Sequence, residues 1–142
     1  MKKPLSLALL ALFLFACAEK LPISPTDLSE ETTQSQLLVM LESDEDFLLL
    51  DVRSIEEFTE SHITGAVNIP HEQIEQNISL LAPYKDKNIV VYCRSGRRAQ
   101  IAIDALNKNN FQRVSHLQGD FQQWQANKLP LTEETINTET ID

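Results

Sequence analysis

The chain has 142 residues, 42% of them hydrophobic, 23% charged and 6% aromatic, which fits one modest globular domain and not a disordered or collagen-like chain. Twelve Lys and Arg against 21 Asp and Glu give a net charge of -9, which argues against sequence-independent binding to nucleic-acid phosphate as a main function. Two cysteines, Cys17 and Cys93, with 75 residues between them, build no disulfide framework, and Cys and His are too sparsely clustered for a structural zinc site.

Lys2 and Lys3 followed by the apolar run Leu5 to Ala16 have the pattern of an export signal, too short to span a bilayer as a helix. Leu14-Phe15-Ala16-Cys17 resembles a bacterial lipoprotein box, with Phe15 departing from the usual small or aliphatic residue. Under that resemblance residues 1–16 are removed and Cys17 is acylated, anchoring the chain to a membrane without a spanning helix. An ordinary secretory signal cleaved nearby is the alternative. Removal of Lys2 and Lys3 leaves ten basic and 21 acidic residues, a charge of -11. Ala18 after the Cys implies the outer membrane, facing the periplasm, in a host with two membranes. Residues 17–32, with Pro22 and Pro25, are expected to form a tether carrying a short strand at Leu21 to Ile23.

Residues 33–131 are expected to form the folded domain. Gln34 to Glu42 places Leu37, Leu38, Met40 and Leu41 on a helical face, and Phe47 to Leu50 is a short apolar run ending at Asp51, as in a buried parallel strand. Ser54 and Glu57 have capping-box spacing for a short helix offering Ile55 and Phe58 to the core. Ala66 to Ile69 is expected to be a strand, Glu72 to Leu81 a helix, and Asn88 to Tyr92 a central strand. Arg98 to Asn109 is a helix with Ala99, Ala102, Ile103 and Leu106 on one face, Arg113 to Leu117 a strand, and Phe121 to Ala126 a last helix. Residues 132–142, with four acids and no base, form a solvated tail. Strands alternating with helices imply right-handed crossovers and a mainly parallel sheet covered on both faces, a small three-layer α/β domain.

The chemistry gathers at Cys93-Arg94-Ser95-Gly96-Arg97-Arg98. A loop between a strand's carboxyl end and a helix's amino end is where open α/β sheets bind ligands, because free N–H groups and the helix dipole converge there. Three arginines add positive charge and favour the attacking thiolate. Gly96 lets the loop curl so that successive amides point at one centre as an anion nest.

The sequence here resembles the rhodanese (thiosulfate sulfurtransferase) family in its single-domain form. Asp51-Val52-Arg53 matches a family strand end, Glu57-Phe58 an acidic-aromatic pair, and His62-Ile63-Thr64-Gly65-Ala66-Val67-Asn68-Ile69-Pro70 a longer segment. Cys93, Gly96 and Arg98 match the Cys-x-x-Gly-x-Arg loop, and Leu117, Gly119, Trp124 and Pro130 match the family's Leu-x-Gly-Gly, Trp and Pro. The departures are Ser61 for a Gly before the His, Ala99 for a common Ser, and Asp120 for the second Gly of the late pair. Ser61 and Ala99 are expected to be mild, whereas Asp120 is expected to cap the last helix or to add negative charge at the pocket mouth.

The resemblance implies a central five-stranded sheet and a two-step sulfur transfer. Cys93 thiolate takes the outer sulfur of a small anionic donor such as thiosulfate, and a thiol or cyanide acceptor removes it from the Cys93 persulfide. Loop amides of Arg94, Ser95, Gly96, Arg97 and Arg98 would stabilise the anion, with Arg98 first among the guanidinium groups for the donor's charged end. Asp51 and Arg53 are expected to form a structural ion pair near the site, His62 a structural hydrogen bond, and Phe121 and Trp124 core packing. Neither a metal nor a cofactor is expected. Related Cys-based phosphatases and arsenate reductases place Arg six positions after the Cys; position six here is Ala99, which demotes those activities. A thiol oxidoreductase lacks a resolving partner if Cys17 is acylated. A membrane-tethered module that binds an envelope protein partner, or carries persulfide to it, is the alternative from another class.

Overall fold

The computed structural model describes residues 30–133; the expected signal peptide, acylated Cys17, most of the tether with its strand at Leu21 to Ile23, and most of the acidic tail lie outside them. Two four-residue strands explain the architecture. Leu48, Leu49, Leu50 and Asp51 form β2 and Ile89, Val90, Val91 and Tyr92 form β5, with every residue buried. A strand apolar on both sides is stable only with cover on both faces. Leu48, Leu50, Ile89 and Val91 pack on one side against Ala99, Ala102 and Leu106. Leu49, Val90 and Tyr92 pack on the other against Leu37, Met40, Leu117 and Trp124.

The cover comes from α1 (Gln34–Glu42), α3 (Arg97–Lys108) and α4 (Asp120–Ala126). With β1 (Glu31–Thr32), β4 (Val67–Asn68) and β6 (Val114–Leu117), the sheet runs β1-β6-β5-β2-β4, all neighbours parallel. This is the three-layer α/β arrangement with a five-stranded sheet that the sequence led us to expect. Leu48 pairs with Ile89 and Asp51 with Tyr92, so β2 and β5 end side by side and release their following loops at one edge. Among the described residues no helix is long and apolar enough to cross a membrane.

Several elements differ from expectation. Glu72 to Leu81 is not an α-helix but a string of tight turns between 3-10 turns at His71–Gln73 and Ala82–Tyr84. Its bonds include Gln73 N–H to Pro70 and Leu80 N–H to Asn77, and the Asn77 side-chain amide donates to the Gln73 carbonyl. Such side-chain competition favours three-residue turns over a regular helix, while Ile74, Leu81 and the half-buried Ile78 still reach the core. The end of the expected tether is edge strand β1, where Thr32 Oγ1 lies 2.6 Å from Ser115 Oγ in the interior. The start of the expected tail belongs to β7 (Leu131–Glu133), which pairs antiparallel with β3 (Ser61–Ile63) in a separate ribbon. In α2 (Ile55–Glu60) the capping box of Ser54 and Glu57 is present, but Ile55 is 57% exposed because the short helix buries no residue.

Candidate active site

Cys93 follows β5 directly and is buried, 1% exposed. Its Sγ accepts the Gly96 N–H at 3.1 Å, a bond that closes a four-residue ring at the amino end of α3. Gly96 stands at φ +106, a backbone region that side chains resist, and a Cβ there would lie 3.3 Å from Asp120 Oδ2 and from His116 Cε1. The curl expected at Gly96 is therefore present, and a side chain on its inner face would press against both neighbours.

The loop is tied from beneath by the junction of β6 and α4. Phe121 N–H donates to the Cys93 carbonyl and Gln122 N–H to that of Arg94. Asp120 does not cap α4: Gly119 holds that position in the left-handed region. The Asp120 carboxylate instead accepts the Cys93 N–H at 2.8 Å and lies 3.0 Å and 3.1 Å from His116 Nε2 through its two oxygens. It is 3% exposed, so the charge sits under the loop rather than at a pocket mouth. This His116–Asp120 pair is the feature missed in the sequence; the spacing of four was visible, but a turn separates the residues, and helical spacing says nothing across a turn.

Arg98, placed first for donor binding, is already paired. Its two terminal nitrogens reach Glu57 at 2.5 Å and 2.9 Å, while Glu57 also accepts the Ser54 N–H that completes the α2 cap. The capping-box spacing read in the sequence thus positions a carboxylate for the loop arginine. Arg98 lies on the Cys93 side of that pair, its guanidinium held protonated mainly by Glu57, against an opposing push from burial, and further by the accepting Cys93 sulfur. Its hydrogen bonds lower Glu57 from the usual carboxylate value to about 2, against an opposing push from burial. The pair's contribution is therefore complete above the ordinary value near 4.5 and disappears as pH falls toward about 2. We expect acid unfolding curves of wild type and Glu57→Gln to differ above pH 4.5 and to converge below it; curves offset equally at every pH would overturn the assignment.

Arg94, Ser95 and Arg97 are exposed, and neither Arg94 nor Arg97 is ion-paired among the described residues. A cavity of about 380 Å³ beside the loop is lined by Arg94, Gln122, Glu57, Glu60 and Ser61 among others; Cys93 does not line it. Asp51 and Arg53 form the expected ion pair, both interior, with Arg53 Nε and Nη2 bonded to the Asp51 carboxylate over 2.6–3.0 Å. Arg53 also donates to the Ser61 carbonyl at 2.8 Å and lies 3.9 Å over the Phe121 ring, which joins β2, β3 and α4 behind the loop. Ser61 sits in extended backbone, and its buried Oγ has no hydrogen-bond partner among the described residues. The Tyr92 hydroxyl accepts the Ile63 N–H, and burial, foremost, holds its ionisation far above the usual phenol range. His62 Nδ1 lies 2.8 Å from the Phe58 carbonyl and its ring stacks on Phe58. Trp124 is buried with Nε1–H donating to the Pro130 carbonyl. No group of His, Cys, Asp or Glu among the described residues could hold a metal ion.

Comparison with known proteins agrees with this arrangement. The rhodanese-like domain family matches residues 33–127. A sulfurtransferase of Allochromatium vinosum is 33% identical over 101 residues, covering 71% of this chain and 92% of that protein. The tRNA uridine(34) hydroxylase of Cronobacter sakazakii is 32% identical over 98 residues, covering 66% of this chain but only 28% of the hydroxylase; the chain spans well under half of that longer relative. Among solved structures, the rhodanese-like domain of an Anabaena protein superposes with a TM-score of 0.69 at 26% identity, covering 81% of this chain and 89% of the domain. A cysteine loop tied to a five-stranded parallel sheet, a family match over most of the length and a sulfurtransferase covered nearly end to end converge on one assignment: this chain belongs to the rhodanese-like family.

Proposed function

We propose that the protein is a thiosulfate-type sulfurtransferase working through a persulfide on Cys93. Cys93 thiolate attacks the outer sulfur of thiosulfate, the sulfur–sulfur bond of the donor breaks, and sulfite leaves with the bonding pair. The resulting Cys93 persulfide is attacked at its terminal sulfur by cyanide or a thiolate, which carries the sulfur away and returns the Cys93 thiolate. The observation that carries this reading is the Gly96 N–H aimed at Cys93 Sγ at 3.1 Å, at a helix amino end whose dipole favours negative charge. Arg94, Ser95, Gly96, Arg97 and Arg98 make up the anion-binding loop. Because Arg98 is engaged by Glu57, the exposed Arg94 and Arg97 take the sulfonate end of the donor, while Arg98 holds the loop.

The same proposal places the chain at the cell envelope. Acylation of Cys17 would contribute about 0.8 kcal/mol per buried methylene, so two or three chains hold a protein on a membrane. Ala18 directs it to the outer membrane of a two-membrane host, where an envelope protein is a fitting sulfur acceptor. Thiosulfate treatment followed by mass spectrometry tests the chemistry: the Cys93 peptide should gain one sulfur, about 32 Da, removable by cyanide or dithiol. A Cys93 peptide unchanged by any sulfane donor would sink the reading.

A further inference from the structure

In the sequence Asp120 stands where related motifs carry glycine, and in the structure it adopts φ +51. A non-glycine residue in this left-handed region is strained, although Asp tolerates it better than most. The side chain has two contacts that bear on the loop, the Cys93 N–H at 2.8 Å and His116 Nε2 at 3.0–3.1 Å, and it stands where a Cβ on Gly96 would lie 3.3 Å from Oδ2. The neighbouring amides of Phe121 and Gln122 hold the Cys93 and Arg94 carbonyls. Both ends of the Cys93 peptide unit, and the residue whose N–H meets its sulfur, therefore rest on this one junction.

A carboxylate in that place presents a difficulty, because it is a buried negative charge beneath a group that must itself be an anion to react. His116 resolves it when protonated. We propose that Asp120 and His116 are a positioning pair, which fixes the Cys93 loop from below while the imidazolium cancels the carboxylate's charge under the sulfur anion. The pair touches no reacting atom and acts through Cys93 and Gly96. The Asp120 hydrogen bond, opposed by burial, raises His116 above its ordinary value near 6.5, so the cancelled state persists toward neutral pH. From β1 His116 is also faced by Glu31, which raises it further; from α4 it meets Asp120, and across the loop it meets the Cys93 turn, with Arg97 at the start of α3 exposed to solvent.

The inference rests on the reading of Cys93 as the nucleophile, so its test avoids sulfur transfer. The rate of Cys93 alkylation by iodoacetamide is followed by peptide mass spectrometry on the full chain across pH, with thermal unfolding alongside. In His116→Gln the carboxylate loses its counter-charge but keeps a hydrogen-bond donor, and alkylation near pH 6 should fall about fivefold or more. Asp120→Asn combined with His116→Gln removes both charges and should restore most of that loss. An unchanged rate in His116→Gln overturns the proposal, as does a loss that the double variant fails to restore. If His116→Gln does not fold, Asp120→Asn decides: on the alkaline side of the His116 titration, where the imidazole has lost its proton, it should alkylate faster than wild type, and an equal or slower rate overturns the pair. A chain that alkylates as expected yet takes no sulfur from thiosulfate leaves the pair standing and fails the proposed function alone.

Discussion

Cys93→Ser should abolish sulfur transfer from thiosulfate to cyanide, a loss on the order of 10³-fold or more, while leaving the fold intact. Serine is close to cysteine in size, and its hydroxyl oxygen can accept the Gly96 N–H that Sγ accepts at 3.1 Å, so loop and core have no reason to rearrange. What disappears is the polarisable nucleophile: an alkoxide is not accessible near neutral pH, and an oxygen–sulfur adduct cannot take the place of a persulfide. The measurement is steady-state sulfite release together with the mass of the residue-93 peptide, and thermal unfolding within a few degrees of wild type shows that the fold is retained. Retention of a tenth of the wild-type rate would move the reaction away from this residue. Loss of activity together with loss of cooperative unfolding would mean that the loop, not the sulfur, had been tested.

The second large effect concerns stability. Arg53 and Asp51 are 3% and 0% exposed, and the ion pair is embedded between β2, the Ser61 carbonyl and the Phe121 ring. Arg53→Met keeps much of the volume but leaves the Asp51 carboxylate buried with the Arg53 backbone N–H, at 2.9 Å, as a remaining donor. Stranding a charge in this way costs about 3–5 kcal/mol, more than the net worth of the pair. Adding Asp51→Asn, which removes the stranded charge and keeps an acceptor, should recover more than half of the loss. Urea unfolding of the three proteins at neutral pH measures both quantities. A cost below about 1 kcal/mol for Arg53→Met, or no recovery in the double variant, would show that the interior tolerates the lone carboxylate.

Much of this was legible in sequence because the strongest signals were local. Leu48 to Leu50 and Ile89 to Tyr92 are apolar at every position, which has one simple solution in an α/β protein. The capping box at Ser54 and Glu57 and the curl at Gly96 follow from residue type and spacing alone. What escaped notice depends on pairing between distant segments. Glu31 and Thr32 are too short a run to announce a strand, and form one by pairing with the edge of β6. The ribbon of β3 and β7 joins positions some seventy residues apart, and no local pattern announces that. Asp120 stands out in the sequence as a departure, but its task does not, since its partners Cys93 and His116 come from two other strand ends. The motif marks Arg98 for the loop, but its tie to Glu57 appears only when α2 folds over the loop.

That tie gives α2 an uneven hold on the molecule. The helix is six residues long and buries none of them, so its hold rests on its cap, the contacts of Phe58 with His62 and the Glu57–Arg98 bond. Short segments of this kind exchange their amide hydrogens through fluctuations far cheaper than global unfolding. An anion at the loop that draws Arg98 away from Glu57 would release one of those restraints. The amides of Glu57 to Glu60 are therefore a built-in reporter: their protection tracks whether the cationic loop is answering to its own carboxylate or to a visitor.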